Sequence, residues 1–75
     1  MPSHQLRVKV DLRDVSLFND LMRDRPQVND VFVREHSDVW TFNGDEEQCE
    51  EMQCEIEDIL NCGCVNLDEL SILEL

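Results

Sequence analysis

Residues 44–64, GDEEQCEEMQCEIEDILNCGC, carry the clearest secondary-structure signal in the chain and decide the fold. Asp45 is suited to cap a helix, and Gln48 stands three residues later, where a capping box requires it. Apolar residues recur in this stretch every three or four positions, which places them on one narrow helix face: Cys49, Met52, Ile56, Ile59 and Leu60. We therefore predict a helix over residues 46–61, ended by Gly63 in the left-handed conformation.

Two strands are predicted before this helix. Val28–Val33 and Val39–Asn43 are rich in β-branched and aromatic residues, and the polar stretch Glu35–Asp38 between them is typical of a hairpin loop. Side chains alternate between the two faces of a strand. The face predicted to be buried carries Trp40 and Phe42 with Val31 and Val33, and the other face carries Phe32, Val39 and Thr41.

The N-terminal part of the chain predicts a strand and a short helix. Apolar and polar residues alternate over Leu6–Arg13, the pattern of a strand with one buried face. Asp14 or Ser16 can cap the helix that follows, and Pro26 stops it near Asp24. The core positions predicted for this helix are Val15, Phe18, Leu21 and Met22.

The C-terminal residues complete the predicted fold. Residues 65–73 suggest a final strand with a bulge or turn at Asp68-Glu69, although a short helix over 68–75 is an alternative. The resulting order of strand, helix, strand, strand, helix, strand is that of the ferredoxin-like βαββαβ sandwich, an α+β fold. We expect a single domain over residues 1–75, with a four-stranded antiparallel sheet and two helices on one face. This fold specifies no function by itself.

The charge of the chain is strongly asymmetric. The net charge is -12, no Lys or Arg follows Arg34, and residues 35–75 hold 13 of the 18 acidic residues. Such a charge opposes direct contact with nucleic-acid phosphates and with anionic membranes. We therefore expect a basic partner.

The predicted helix over residues 46–61 is the candidate binding site. Its eight carboxylates have no Lys or Arg three or four residues away, and they occupy ~20 Å of helix. They are Asp45, Glu46, Glu47, Glu50, Glu51, Glu55, Glu57 and Asp58. An acidic surface that serves solubility alone is the alternative, but a mixture of both signs would serve solubility equally well. We expect these carboxylates to bind a cluster of Lys and Arg on a partner protein.

In its small size and high acidity, the chain resembles the nucleic-acid mimics by which phages block restriction or CRISPR machinery. The resemblance implies a non-enzymatic interaction protein, of the anti-CRISPR or anti-restriction type, that competes for a basic, nucleic-acid-binding surface. The alternative is a small dimerising regulatory or ligand-sensing domain, in which the sheet edges, or the open sheet face that bears Phe32 and Val39, pair with a second copy and a metabolite sits at the interface.

The cysteines and histidines indicate neither a metal site nor a catalytic site. Cys62 and Cys64 could share a soft metal with Cys54 or His36, but structural zinc usually requires two cysteine pairs, so we assign no metal ligand and no cofactor. Neither His4 nor His36 stands in a local cysteine or serine arrangement that indicates a nucleophile and its base, so we assign no catalytic residue and expect no enzyme.

The expected location is the cytoplasm. The N-terminal residues have no apolar signal-peptide segment, and no apolar stretch approaches the ~20 residues of a membrane span. The four cysteines lie within sixteen residues, whereas disulfides of a small secreted protein would join distant segments. We therefore expect reduced thiols.

Overall fold

An antiparallel four-stranded sheet forms one layer of the computed structural model, which describes residues 1–75. Its strands are β1 (His4–Val10), β2 (Val33–His36), β3 (Val39–Gly44) and β4 (Leu67–Glu74), in the order β2-β3-β1-β4. The helices are α1 (Val15–Arg23), α2 (Pro26–Asn29) and α3 (Glu46–Gly63), and a 3-10 turn, Leu12–Asp14, precedes α1. The prediction of an α+β fold with a four-stranded antiparallel sheet is confirmed. The 3-10 turn and α2 are additions to the predicted ferredoxin-like order of six elements.

The hydrophobic core lies between the helices and one face of the sheet. Leu6, Val8 and Val10 of β1 are fully buried on that face, as their alternation predicts. The ring of Phe18 from α1 meets Trp40 of β3 edge to face, with 4.8 Å between the ring centroids. The core cluster contains 13 buried residues drawn from every layer of the fold. Burial of this cluster is the main source of stability.

The N-terminus of α3 follows the prediction closely. The Asp45 carboxylate accepts a hydrogen bond from the Gln48 backbone N–H at 2.8 Å, and the Gln48 side-chain oxygen accepts one from the Asp45 N–H at 3.0 Å. These two bonds satisfy backbone donors that a helix start otherwise leaves without partners. The capping box is thus confirmed, and the helix that it starts buries Cys49 and Ile56 in the core.

The C-terminus of α3 differs from the prediction. Cys64, and not Gly63, adopts the left-handed conformation, with φ 53° and ψ 41°. Its backbone N–H and that of Val65 bond to carbonyls of the last turn, which ends α3 at Gly63. Gly63 has a different role, because a Cβ at this position would overlap the end of the Leu21 side chain of α1, which would have to move. The glycine therefore permits close packing of two helices.

Replacing Cys64 with glycine is expected to raise the free energy of unfolding by ~1 kcal/mol, because glycine adopts positive φ without the steric cost borne by other residues. The Cys64 side chain is exposed, so little packing is lost. The matched control is Cys62→Gly inside α3, which should lower stability by ~0.5–1 kcal/mol. Urea denaturation of both variants checks the pair, and equal effects of the same sign would contradict the conformational explanation.

Residues 28–33 were predicted as a strand, and this prediction is wrong. Pro26 occupies the first turn of α2, a position that proline favours. Val28 also belongs to α2, and its side chain is buried in the core. β2 begins only at Val33, and the predicted burial of residues 31–33 is reversed. Phe32 packs in the core beside Phe42, with ring centroids 5.7 Å apart, whereas Val31 and Val33 are exposed. The burial predicted for Trp40 is confirmed.

The remaining boundaries shift by a few residues. The strand predicted over Leu6–Arg13 ends at Val10, because the Asp11 carboxylate accepts a bond from the Arg13 N–H and turns the chain, leaving Leu12 exposed. Asp14 precedes α1, but its carboxylate accepts a bond from the Asn66 N–H instead of capping the helix. The Glu35–Asp38 loop shortens to a two-residue turn.

The final strand is confirmed, and the helix alternative for residues 68–75 is wrong. β4 pairs with β1 along its length, and Leu70 and Ile72 lie opposite Val8 and Leu6. The pairing skips Asp68, which forms the bulge that the sequence suggests.

Candidate functional site

The solvent face of α3 carries the predicted binding residues. Because Cys49, Ile56 and Ile59 are buried, the carboxylates spaced between them point outward. Glu46, Glu47, Glu50, Glu51, Glu57 and Asp58 are exposed, and Glu55 is half-buried. The structure therefore gathers the predicted site residues on one helix, but their local environments divide them into three groups.

The first group lies at the helix start. The Asp45 carboxylate accepts the capping hydrogen bond of α3, so its role is structural. The Glu46 Oε2 atom lies 3.8 Å from Nε2 of His4 on β1. Both carboxylates are favourably placed, because the positive end of the helix dipole stabilises negative charge there.

The second group is held by Arg25, which the sequence did not connect with this site. Arg25 lies between α1 and α2 in the chain, and its guanidinium reaches α3. It donates to Oε2 of Glu55 at 3.3 Å and to Oδ2 of Asp58 at 2.5 Å. The hydrogen bond that Arg25 donates to Asp58 raises the pKa of Arg25 further above its usual range. The expectation of a wholly unneutralised acidic helix is therefore wrong for these two residues, because a tertiary contact supplies the cation.

The third group has no partner in the molecule. Glu47, Glu50, Glu51 and Glu57 are exposed and make no hydrogen bond or ion pair. With the charge of Arg25 subtracted from the eight carboxylates, α3 carries about one net charge per ~3 Å, against ~3.4 Å along one DNA strand. Like charges one turn apart disfavour the helix by ~0.2–0.5 kcal/mol per pair. This arrangement weakens the folded state when no partner is bound.

Replacing Arg25 with glutamine is expected to lower the melting temperature at low salt and to leave it nearly unchanged at high salt. The variant frees Glu55 and Asp58 and so adds repulsion along α3, which salt screens. Arg23→Gln is the matched control, because Arg23 makes only a 4.0 Å exposed contact with Asp20. Thermal unfolding of both variants across a salt series checks this expectation, and equal salt dependence would contradict it.

The sheet face opposite the helices is basic at its centre. Arg7 and Lys9 of β1 point there, because they alternate with the buried Leu6, Val8 and Val10. Arg7 lies 3.7 Å from Glu69, and Lys9 has no ion pair. Glu69 and Glu35 share this face, so its positive charge is limited to the surroundings of Lys9. Arg13 does not contribute, because it pairs with Asp11 and its guanidinium keeps the pKa of that carboxyl low.

This open face is less apolar than expected. Phe32 was predicted to lie on it, but the ring is packed in the core on the other side. Val39 is on the open face and is only 2% exposed, because its neighbours cover it. Val33 and Leu73 are the exposed apolar side chains here, and they lie at opposite edges of the sheet. The surface proposed for a homodimer therefore loses its predicted apolar centre.

The four cysteines are free thiols. Cys49 is buried, which raises the pKa of its thiol, and the other three are exposed. Cys54 lies within the acidic face, one turn from Glu50 and Asp58. No three His, Cys, Asp or Glu side chains come together in an arrangement that holds a metal ion. None of the helices has both the length and the apolar character needed to cross a bilayer.

Two open depressions mark the surface. One, of about 230 Å³, lies between α3 and β4, and a more polar one of about 360 Å³ lies beside the start of α3.

Comparisons with protein-family models, curated proteins and solved structures found no match to this chain. Proposals about its function therefore depend on its own residues.

Proposed function

We propose that this protein is a non-enzymatic, cytoplasmic inhibitor that uses the exposed face of α3 to occupy a basic, nucleic-acid-binding surface of a partner protein. It acts as a competitor of the nucleic acid, in the manner of anti-restriction or anti-CRISPR proteins. The observation that carries the proposal is the set of four exposed carboxylates without partners, Glu47, Glu50, Glu51 and Glu57, on a rigid, capped helix.

The energetics of α3 support this role. The free carboxylates of α3 repel one another, because several of them lie three or four residues apart. A cluster of Lys and Arg on a partner would relieve this repulsion and form charge-assisted hydrogen bonds. The carboxylates of α3 are therefore stabilised more by a basic partner than by solvent.

The fixed geometry of α3 also supports binding, because its carboxylates are preorganised. The capping box and the buried face hold α3 in one orientation, so its carboxylates are arranged before binding. Preorganised groups lose less conformational freedom on association, which favours affinity. The Glu55 and Asp58 carboxylates, already bridged by Arg25, help to fix this arrangement.

We keep two further assignments as proposals. The ferredoxin-like architecture is supported by antiparallel pairing throughout and by helices packed on one sheet face. A homodimer through the open face has less support, because that face lacks Phe32. Light scattering at low and high salt tests the dimer directly.

The test of the proposed function is affinity capture from a native lysate at ~50 mM and ~500 mM salt, since multi-charge contacts weaken by orders of magnitude over this range. We expect nucleic-acid-binding proteins that are retained only at low salt and released by added duplex DNA. Captured proteins that DNA does not release would contradict competition, and the absence of any salt-sensitive protein would contradict the acidic surface as a binding site.

A further inference from the structure

β4 is an open edge of the sheet. The opposite edge, β2, has four residues and a register shift between Arg34 and His36, and short or irregular edges resist pairing with another chain. β4 has eight residues, and its irregularity is confined to Asp68 near its start. From Glu69 to Glu74 it is therefore a regular strand with one side unpaired.

The backbone groups available on this edge follow from the pairing with β1. The Leu75 N–H donates to the Ser3 carbonyl at 2.9 Å. Bonded pairs alternate along an antiparallel ladder, so Glu69, Ser71 and Leu73 also direct their N–H and C=O groups toward β1. Leu70, Ile72 and Glu74 direct theirs outward. Three successive sets of donors and acceptors are thus free to bond to an added strand.

An apolar depression runs beside this edge. The open groove of about 230 Å³ between α3 and β4 is lined by Glu57, Leu60, Asn61, Val65, Leu67 and Leu70. Alternate side chains of a strand added to β4 would face the helix layer and cover this groove. The groove is too shallow to enclose a small molecule, but it can hold one apolar side chain of such a strand.

The charges around the groove select the kind of strand. Glu57 lines it, and Glu50 lies on the same flank of α3, seven residues earlier. Both carboxylates lack partners, whereas Arg25 occupies the opposite flank through Glu55 and Asp58. A second copy is a poor occupant in any register, because it would bring a second net charge of -12 to this acidic edge. A basic segment is complementary.

We propose that the β4 edge and the adjacent groove bind an extended segment of a partner protein as a fifth strand. In this segment Lys or Arg would alternate with small polar residues around a central apolar residue. This binding site is separate from the exposed α3 face of the proposed function, and the two sites have only Glu50 and Glu57 in common. Strand addition supplies affinity through main-chain bonds and specificity through alternate side chains.

The test uses a synthetic peptide, acetyl-KTKTLTKTK-amide, and amide hydrogen exchange measured by NMR. At saturating peptide, exchange at Leu70 and Ile72 should slow at least ~tenfold, because their N–H groups gain partners. Exchange at Ser71 and Leu73, already bonded to β1, should change little. The control peptide acetyl-ETETLTETE-amide should have no effect.

Two variants separate this inference from the proposed function. Asn61→Trp fills the groove from an exposed position and should weaken peptide binding at least ~tenfold, since it removes the site of the central apolar residue. The double variant Glu47→Gln, Glu51→Gln changes the other flank of α3 and should leave peptide binding intact. Peptide binding without slower exchange at Leu70 and Ile72 would overturn strand addition. Slower exchange on raising protein concentration alone would overturn the choice of occupant and favour a second copy.

Discussion

Replacing Phe18 with alanine is expected to lower the free energy of unfolding by ~3–5 kcal/mol, which is most of the stability available to a domain of this size. The Phe18 side chain is fully buried, and its ring contacts Trp40 edge to face. The substitution removes that contact and leaves a cavity where α1 meets the sheet.

Urea denaturation followed by circular dichroism and by the fluorescence of Trp40, the single tryptophan, measures this effect. Leu17→Ala is the matched control, because Leu17 is the neighbouring residue on α1 and is 43% exposed. The control should change stability by less than ~1 kcal/mol. Similar losses in both variants would contradict the packing of α1 described above.

The second large effect concerns partner binding. Replacing Glu47, Glu50 and Glu51 with glutamine is expected to weaken the captured partner's binding by ~100- to 1,000-fold at low salt. Each carboxylate that meets a Lys or Arg contributes a charge-assisted hydrogen bond of ~1.5–3 kcal/mol, partly offset by desolvation. Glutamine preserves size and helix propensity, so the fold should be unaffected.

The matched control removes three negative charges elsewhere. Asp30, Asp38 and Asp68, each changed to asparagine, lie off α3 and make no side-chain hydrogen bond or ion pair. Binding measured by calorimetry across a salt series should fall steeply for the glutamine variant and only slightly for this control. Equal losses would mean that net charge alone, and not the α3 face, governs association.

Local sequence signals predicted the elements whose geometry is set locally. Asp45 and Gln48 lie within one turn of each other, so the capping box can be inferred from spacing alone. The alternation in β1 likewise depends only on which residues meet the core. The acidic face of α3 follows from the same periodicity, which is why its exposed carboxylates were placed correctly.

Tertiary contacts decide the features that the sequence did not reveal. The β-branched and aromatic residues of 28–33 favour a strand, but Pro26 starts a helix and the core takes Val28 and Phe32. Arg25 meets Glu55 and Asp58 only because α1 and α3 pack side by side. Gly63 is constrained by Leu21, a contact between distant residues. No local pattern encodes these contacts.

The most direct test of the central claim is a competition measurement on a captured partner, using the fluorescence anisotropy of a labelled DNA duplex. If the exposed face of α3 occupies the nucleic-acid-binding surface, adding this protein will return the anisotropy to that of free DNA. The apparent affinity for DNA will then fall in proportion to the inhibitor concentration, as mutual exclusion requires. An anisotropy that stays high or rises, which reports a complex containing both DNA and inhibitor, would contradict the claim.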